Sequence, residues 1–388
     1  MLQRTYKFRL CPNVEQSKKL QNNLDVCKWV YNKMIEYSKN KSVSRNDLNY
    51  FLTELKEQES WLYSYHSKML QMISTKIDGA LKALERLRKN GKKTGNLKFI
   101  KYGKCRTFTY NQSGFKIENS FLYLSRIGKT KIIQHRPISE NAQIKQITVT
   151  KSKSGKWYCS ITCDVDTAIP KISLAKSVGI DVGIKNFAYD SDGFVTPNPL
   201  NLKRLLKPIA RVQRKIVRRQ IGSQNRKKVV KFYQIIHERI KNRRKDFQHK
   251  LSTQYAKKYN VVFMEGLQKQ NMVKNHKLAR SIMDSSWGTF GKMLDYKCML
   301  VEVQAKNTTA NCSRCGNTVP KSLAIRTHRC GVCGLVLDRD HNASINILKK
   351  GLGIFGIMNY DSKLPQELRE VTPVKILKGS MKQEAHIL

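Results

Sequence analysis

Apolar and polar residues alternate at the start of the chain. Tyr6, Phe8 and Leu10 are separated by Lys7 and Arg9, and Pro12 ends the run. This period of two predicts a short strand. From about Glu15 the period changes: Leu20, Leu24, Cys27, Val30, Tyr31 and Met34 recur at helical spacing. "DLNYFLTELK" and "KMLQMISTKIDGALKALERLRK" extend the helical pattern to about Lys89, where the basic loop "NGKKTGN" follows. From Lys98 to about Asp166 the pattern reads as β. Ile147 and Val149 face one way, and after a Ser-Gly turn Trp157, Cys159, Ile161 and Cys163 alternate likewise, which predicts a hairpin. A first strand, a helical insert and a β-region predict a barrel-like module holding a helical lobe.

The second half reads differently. "SVGIDVGIKNFAYDSDGFVT" predicts two strands about a tight turn at Asp192 and Gly193. A long basic helical stretch runs from about Leu200 to Tyr259, with Val229, Tyr233, Ile236 and Ile240 as one apolar stripe. "NVVFMEGL" and "MLVEVQA" read as short strands. From about Tyr360 the chain is polar without a sustained period, which predicts a loose tail over 359–388. No apolar run approaches the roughly 20 residues of a membrane span, and "MLQRTYKFRL" does not read as a secretory signal.

Charge narrows the class. The 388 residues carry 74 Lys+Arg against 28 Asp+Glu, formally +46. Such a surface repels itself unless something anionic covers it, so nucleic acid is the expected partner. A ribosomal protein would share the charge, but those are usually shorter and rarely carry the acidic motifs below. The basic helical stretch could be a solvated face; with so little acid to balance it, contact with phosphates is the better reading.

Ten cysteines fall into two groups. Cys11, Cys27, Cys105, Cys159, Cys163 and Cys298 are scattered and are expected to be buried thiols. Cys312, Cys315, Cys330 and Cys333 form C-x2-C-x14-C-x2-C, in which two knuckles complete a tetrahedral Zn²⁺ site. Gly316 and Gly334 directly follow the pairs, where the turn needs a residue without Cβ. Four ligands leave no open position, so the ion is structural. His328 is surplus to the set and is expected at the surface or facing phosphate. A chain of this length with no apparent leader is expected in a reducing compartment such as the cytoplasm.

Three acids stand where a structural account is weak. Asp181 lies mid-strand between Ile180 and Val182, Glu265 ends the apolar strand "VVFME", and Asp340 lies at the approach to a helix. Singly, each reads best as a surface or capping acid. Together, in so basic a protein, they suggest a carboxylate cluster neutralised by Mg²⁺, with two ions able to activate water and stabilise a leaving oxygen. Asp338 is expected to cap the helix rather than join the cluster, because i and i+2 do not share a helical face.

Longer motifs carry a resemblance. "GIDVGIKNFAYDSDG", "VVFMEGL", "NHKLARSIMDSSWGTFGKMLDYK" and "CSRCG…HRCGVCGLVLDRDHNASINIL" resemble the RuvC-like nuclease and zinc ribbon of the TnpB family, and "YKFRLCPNVEQ", "WVYNKMIEY" and "LYLSRIGKTKIIQHRPI" resemble its front half. The resemblance implies a multidomain α/β and α+β chain. A wedge β-barrel (1–12 and 96–170) would hold a helical recognition lobe (13–95). An RNase H-like RuvC domain (175–308 and 335–358) would carry an inserted zinc ribbon (309–334). It implies a monomeric ribonucleoprotein in which a guide RNA from the transposon end pairs with target DNA and the nuclease cuts beside a short motif. By motif, Asp181, Glu265 and Asp340 become the catalytic acids and the four cysteines the zinc ligands. Ser74 and Lys76 are a plausible place for motif reading. Ser344 stands where the family usually has Ala, and "ANCSRC" departs from the pattern before the ribbon. A regulator that binds without cutting should have lost an acid. A tyrosine transposase should show a His-x-His pair, which is absent; against a miniature CRISPR effector the size favours a transposon protein, and the neighbouring DNA decides.

Overall fold

A computed structural model describes residues 2–39, 41–165, 172–322, 325–356 and 370–371. The expected tail therefore lies outside the described residues, apart from Glu370 and Val371. The chain divides into two compact units, 1–168 and 169–388. Among the described residues no helix is long and apolar enough to cross a membrane.

The first unit begins with strand β1 (Leu2–Cys11), followed by helices α1 (Val14–Tyr37), α2 (Arg45–Gln58) and α3 (Ser67–Lys89). Reciprocal caps start the first two helices. The Asn13 side chain accepts from the Gln16 N–H at 2.7 Å while Gln16 accepts from the Asn13 N–H at 3.0 Å, and Ser44 and Asp47 repeat the device. Six strands follow: β2 (Thr107–Asn111), β3 (Phe115–Glu118), β4 (Phe121–Leu124), β5 (Gly128–Ile133), β6 (Gln143–Lys151) and β7 (Trp157–Val165). The predicted hairpin is β6 and β7, with Ile147 opposite Ile161 and Val149 opposite Cys159. Residues 98–106, expected to be β, hold no strand; their lysines and glycine offer no alternating apolar face.

The sheet order is β2-β6-β7-β1-β5-β4-β3. Its edge strands β2 and β3 are consecutive in the chain and joined by residues 112–114 alone. The Tyr110 hydroxyl on β2 also donates to the Ser125 carbonyl beyond β4 at 2.9 Å. The two edges therefore meet at one end and the sheet is nearly closed, which leaves little unpaired edge. Apolar residues of α1, α2, α3 and the sheet form one continuous core.

The second unit contains β8 (Ile172–Ser173), β9 (Ser177–Val182), β10 (Asn186–Asp190) and β11 (Val195–Pro197), then α4 (Leu206–Val217) and α5 (Gln224–Lys258). Next come β12 (Val261–Glu265), α6 (Lys269–Met272), α7 (His276–Ser285), α8 (Trp287–Asp295) and β13 (Met299–Val303). The ribbon strands β14 (Thr327–Arg329) and β15 (Val336–Asp338), helix α9 (Arg339–Ile354) and β16 (Glu370–Val371), which pairs with β8, complete it. The stretch expected to give two strands gives three, because a turn after Gly183 separates β9 from β10 before the Asp192-Gly193 turn. The single helical stretch is a helical hairpin: the chain breaks at Gly222, whose φ is +88°, and the Val229, Tyr233, Ile236 and Ile240 stripe packs on Ile209 and Val212 of α4.

The main sheet runs β11-β10-β9-β12-β13, with β9, β12 and β13 parallel and β10 and β11 antiparallel. Parity sorts its faces. Val178, Ile180, Val182, Val262 and Met264 pack against α5, α7 and α8; Val261 and Phe263 pack against α9. Two glycines set how closely α9 approaches. A Cβ at Gly179 would lie 2.2 Å from the Ser344 carbonyl oxygen, and one at Gly351 would lie 2.1 Å from the Phe263 ring. At Gly353 nothing lies within 4 Å. Gly179→Ala and Gly351→Ala should each destabilise the protein by about 1–3 kcal/mol, whereas Gly353→Ala should be neutral or stabilising through helix propensity. Thermal unfolding of the three variants checks the ranking, and equal melting temperatures would contradict this packing.

Candidate active site and metal centre

Strand parity and register bring the three sequence-selected acids to one end of one face. Asp181 shares the parity of Gly179, which touches α9, and Glu265 shares that of Phe263. Met264 pairs with Ile180 in the parallel ladder. One step further along, both carboxylates leave adjacent strand ends, about 5 Å apart in the pairing direction. Asp340 sits in the first turn of α9, where the helix dipole favours an anion. The close seating of α9 thus fixes where the third acid stands.

The electrostatics follow. Asp181 is half-buried, and its carboxylate makes no hydrogen bond or ion pair among the described residues. Burial, then the charges of Glu265 and Asp340, push its pKa well above the usual Asp range, with Arg339 opposing. Burial likewise raises Glu265, opposed by a hydrogen bond from the Thr308 hydroxyl and by Lys350. Asp340 is turned toward two guanidinium groups, Arg339 at 3.1 Å and Arg326 at 3.4 Å. The acids feel one another but do not form a compact ligand cluster; among the described residues only the cysteines do. Asp338 is the helix cap: its side chain accepts from the N–H groups of Asp340 at 2.8 Å and His341 at 3.4 Å.

The four cysteine sulfurs lie within 4.8 Å of one another, with Cys312 and Cys333, and Cys315 and Cys330, at 3.5 Å. A tetrahedral ion with bonds of about 2.3 Å needs sulfurs about 3.8 Å apart, so this donor set fits zinc. Gly316 and Gly334 adopt φ of +76° and +70°, as the knuckle turns require, and their N–H groups return to the Cys312 and Cys330 carbonyls. Backbone N–H groups of Cys333 and Val332 draw the Cys330 thiol down toward the thiolate a metal needs, while burial and the neighbouring cysteines push the Cys315 thiol up.

Other expectations are corrected. His328 is fully buried in the ribbon with Nδ1 against Lys321, because it sits on β14 facing inward. It does not face solvent or phosphate. Cys11 is exposed and Cys105 and Cys298 are half-buried, so only Cys27, Cys159 and Cys163 are the buried thiols expected. Ser74 is fully buried and donates to Asn49 at 2.7 Å, so it cannot read a nucleic acid. Lys76 is exposed at a cavity of about 190 Å³ lined also by Tyr31, Met72, Thr107 and Thr109.

Sequence reasoning passed over Asn342 and Asn346. Both are buried on α9, and both hydrogen-bond the backbone leading into the cysteine cluster. The signal was present: two asparagines four apart in an apolar helix are poor helix formers and need a reason to be there.

The raised Asp181 pKa sets a pH dependence. A carboxylate whose folded pKa lies above its unfolded value of about 4 favours folding only below that value, and the benefit is lost as pH rises through the folded pKa. Asp181→Asn should therefore raise the melting temperature of the metal-free protein by about 2–4 °C at pH 7.5, with the gain vanishing near pH 4. A gain of equal size at both pH values would contradict this electrostatic origin.

Comparison with known proteins identifies the family of the chain. Three sequence families match: one described as "Probable transposase" over residues 160–276, "Cas12f1-like, TNB domain" over 287–347 and "Helix-turn-helix domain" over 1–42. In the structure that last segment holds one strand and one long helix, β1 and α1, rather than two helices about a turn. A Streptomyces pristinaespiralis protein named "Putative RNA-guided DNA endonuclease" is 33% identical over 368 residues, covering 90% of each chain. The Escherichia coli protein named "Putative RNA-guided DNA endonuclease InsQ" is 29% identical, covering 89% of this chain and 92% of its own. A TnpB-like protein of Acanthamoeba polyphaga mimivirus is 29% identical over 48% of this chain and 40% of its own. With a third of its residues identical to one relative over nine-tenths of both, this protein belongs to the TnpB family.

Proposed function

We propose that this protein is an RNA-guided, metal-dependent DNA endonuclease that cleaves target DNA beside a short motif, as a monomeric ribonucleoprotein. The observation that carries the reading is the placement of Asp181, Glu265 and Asp340 at one end of one sheet face, in a chain with a +46 excess. Relatives that match about nine-tenths of its length are named "Putative RNA-guided DNA endonuclease", which supports the RNA-guided part of this reading. In this reading residues 175–308 and 335–358 are an RNase H-like RuvC domain, 309–334 its zinc ribbon, 1–12 and 96–170 a wedge barrel and 13–95 the recognition lobe.

Asp181, Glu265 and Asp340 would hold Mg²⁺. A pair of such ions activates water and stabilises the oxygen leaving phosphorus. The protein's own part is to keep hard oxygen ligands where their repulsion is relieved only by a cation. Asp181 is free to ligate, Glu265 is oriented by Thr308, and Asp340 would have to exchange its Arg326 and Arg339 contacts for the metal. Four cysteines that fit zinc close the ribbon. The exposed cations of α4 and α5 suit the phosphates of a guide–target duplex, whose sequence is read by base pairing rather than by the protein.

The test is cleavage of a plasmid library bearing a matched target by protein purified with co-expressed transposon-end RNA. Cutting in Mg²⁺ is expected, and RNA and DNA bound without cutting would favour a regulator instead. Asp181→Ala and Asp340→Ala should abolish cleavage and leave RNA binding intact. Asp338→Ala should lower the rate only partially, with a stability cost of about 1 kcal/mol for the lost cap. Full activity of Asp181→Ala would overturn the site. Chelation, or Cys312→Ser, should release one zinc per chain and lower the melting temperature, as read by metal analysis and thermal unfolding.

A further inference from the structure

The segment between β13 and the first cysteine pair is held by one face of α9. Asn342 Oδ1 accepts from the Ser313 N–H at 2.8 Å, and its amide donates to the Asn311 carbonyl at 2.8 Å. Asn346, one turn on, donates to the Asn311 carbonyl at 2.7 Å and the Thr308 carbonyl at 2.8 Å. Lys349 donates to the Ser313 carbonyl at 2.7 Å, and Lys350 donates to the Lys306 carbonyl. The spacing i, i+4, i+7, i+8 is one helical face, distinct from the one whose Ile347, Leu348 and Leu352 pack on the sheet.

Both asparagines are buried; Asn342 has both of its polar atoms matched and the Asn346 amide nitrogen bonds two carbonyls, which makes the clamp specific, because apolar substitutes would strand backbone groups. The clamp begins at Thr308, which is 1% exposed. Its hydroxyl has one proton and two acceptors in reach, a Glu265 carboxylate oxygen and the Ala305 carbonyl at 3.0 Å. The clamp ends at Ser313, beside Cys312. A single run of hydrogen bonds thus joins the cysteine cluster to the acid at the end of β12.

We infer that Thr308 is a positioning residue for Glu265, and that Asn342 and Asn346 tie it to the cysteine cluster, so the ribbon's anchorage sets how well the acid end of the sheet holds a divalent cation. This rests on the role proposed for Glu265. It gives the ribbon's place in the chain a reason beyond stability: the same backbone that opens the ribbon orients an acid on the neighbouring strand end.

The experiment titrates Mn²⁺ in plasmid cleavage by RNA-loaded protein. Thr308→Val keeps the shape and removes the hydroxyl; it should raise the half-saturating Mn²⁺ about 10-fold, with zinc content and RNA binding unchanged. Thr308→Ser should restore the wild-type requirement. Asn346→Ala should shift the requirement the same way and speed hydrogen exchange in residues 304–313. A wild-type Mn²⁺ requirement for Thr308→Val, with Glu265→Gln inactive, overturns the inference. Faster exchange in Asn346→Ala without a Mn²⁺ shift overturns the link to the ribbon. If Glu265→Gln cuts as the wild type does, it is the role of Glu265 that fails. Should Thr308→Val not fold, Thr308→Cys, a weaker donor of similar size, takes its place, and an unchanged requirement there is equally fatal.

Discussion

The second unit depends on how closely α9 lies against its sheet. Gly179 touches the helix backbone and Gly351 touches the Phe263 ring, so neither position has room for a single carbon more. That contact sets the height of the helix over β9 and β12. The helix N-terminus then falls beside the ends of those strands, and Asp340 falls beside Asp181 and Glu265. A looser helix would bury the same apolar residues but leave the third acid elsewhere. The packing term and the placement of the acids are therefore one constraint.

That placement works against stability. Asp181 and Glu265 are both raised by burial, and Asp181 further by its acidic neighbours. The protein offsets part of the strain locally. Two arginines attend Asp340, one of them delivered by the ribbon just before β14, and Thr308 attends Glu265. Among the described residues the Asp181 carboxylate has no hydrogen bond or ion pair of this kind, only the more distant charge of Arg339. An acid left unpaired at the focus of two others is more costly than a surface acid, and a structural role gives no return for it. A cation does.

Much of this was legible in the sequence, and the reasons differ by element. Period two gave the β6–β7 hairpin and β1, and period 3.6 gave α1, α2 and α3 with an end at Lys89. The cysteine quartet was legible because ligand spacing is local. Asp181 and Glu265 were legible as candidates through their placement in apolar strands and Asp340 through its place at a helix start, but their convergence depends on the β9–β12 register and on two glycines, both long-range facts. Residues 98–106 misled because lysines spaced along a chain mimic alternation without supplying a second apolar face. His328 and Ser74 misled for a shared reason: polarity alone does not say which way a side chain turns, and each has a partner inside, Lys321 and Asn49. The buried asparagines of α9 went unread because a polar residue in an apolar stripe looks like noise until its backbone partners are seen.

The cysteine quartet and the three acids are separate donor sets, yet mechanically joined. Soft thiolates at knuckle spacing and hard carboxylates at strand ends select different ions, so one site cannot serve the other's purpose. They share a support. β15 leaves the cysteine cluster and ends at Asp338, whose side chain caps α9; α9 begins with Arg339 and Asp340, and one turn later its asparagines reach back to the strand of chain that entered the cluster. Entry to and exit from the ribbon are thus both fastened to the helix that carries the third acid. A ribbon with so small a core could not hold that geometry through apolar contact alone, since among the described residues its buried apolar cluster is Cys312, Cys330 and Leu335. Closing the cysteine quartet is what would make the fastening rigid, and rigidity at that point is what a carboxylate site tuned to a fraction of an ångström requires.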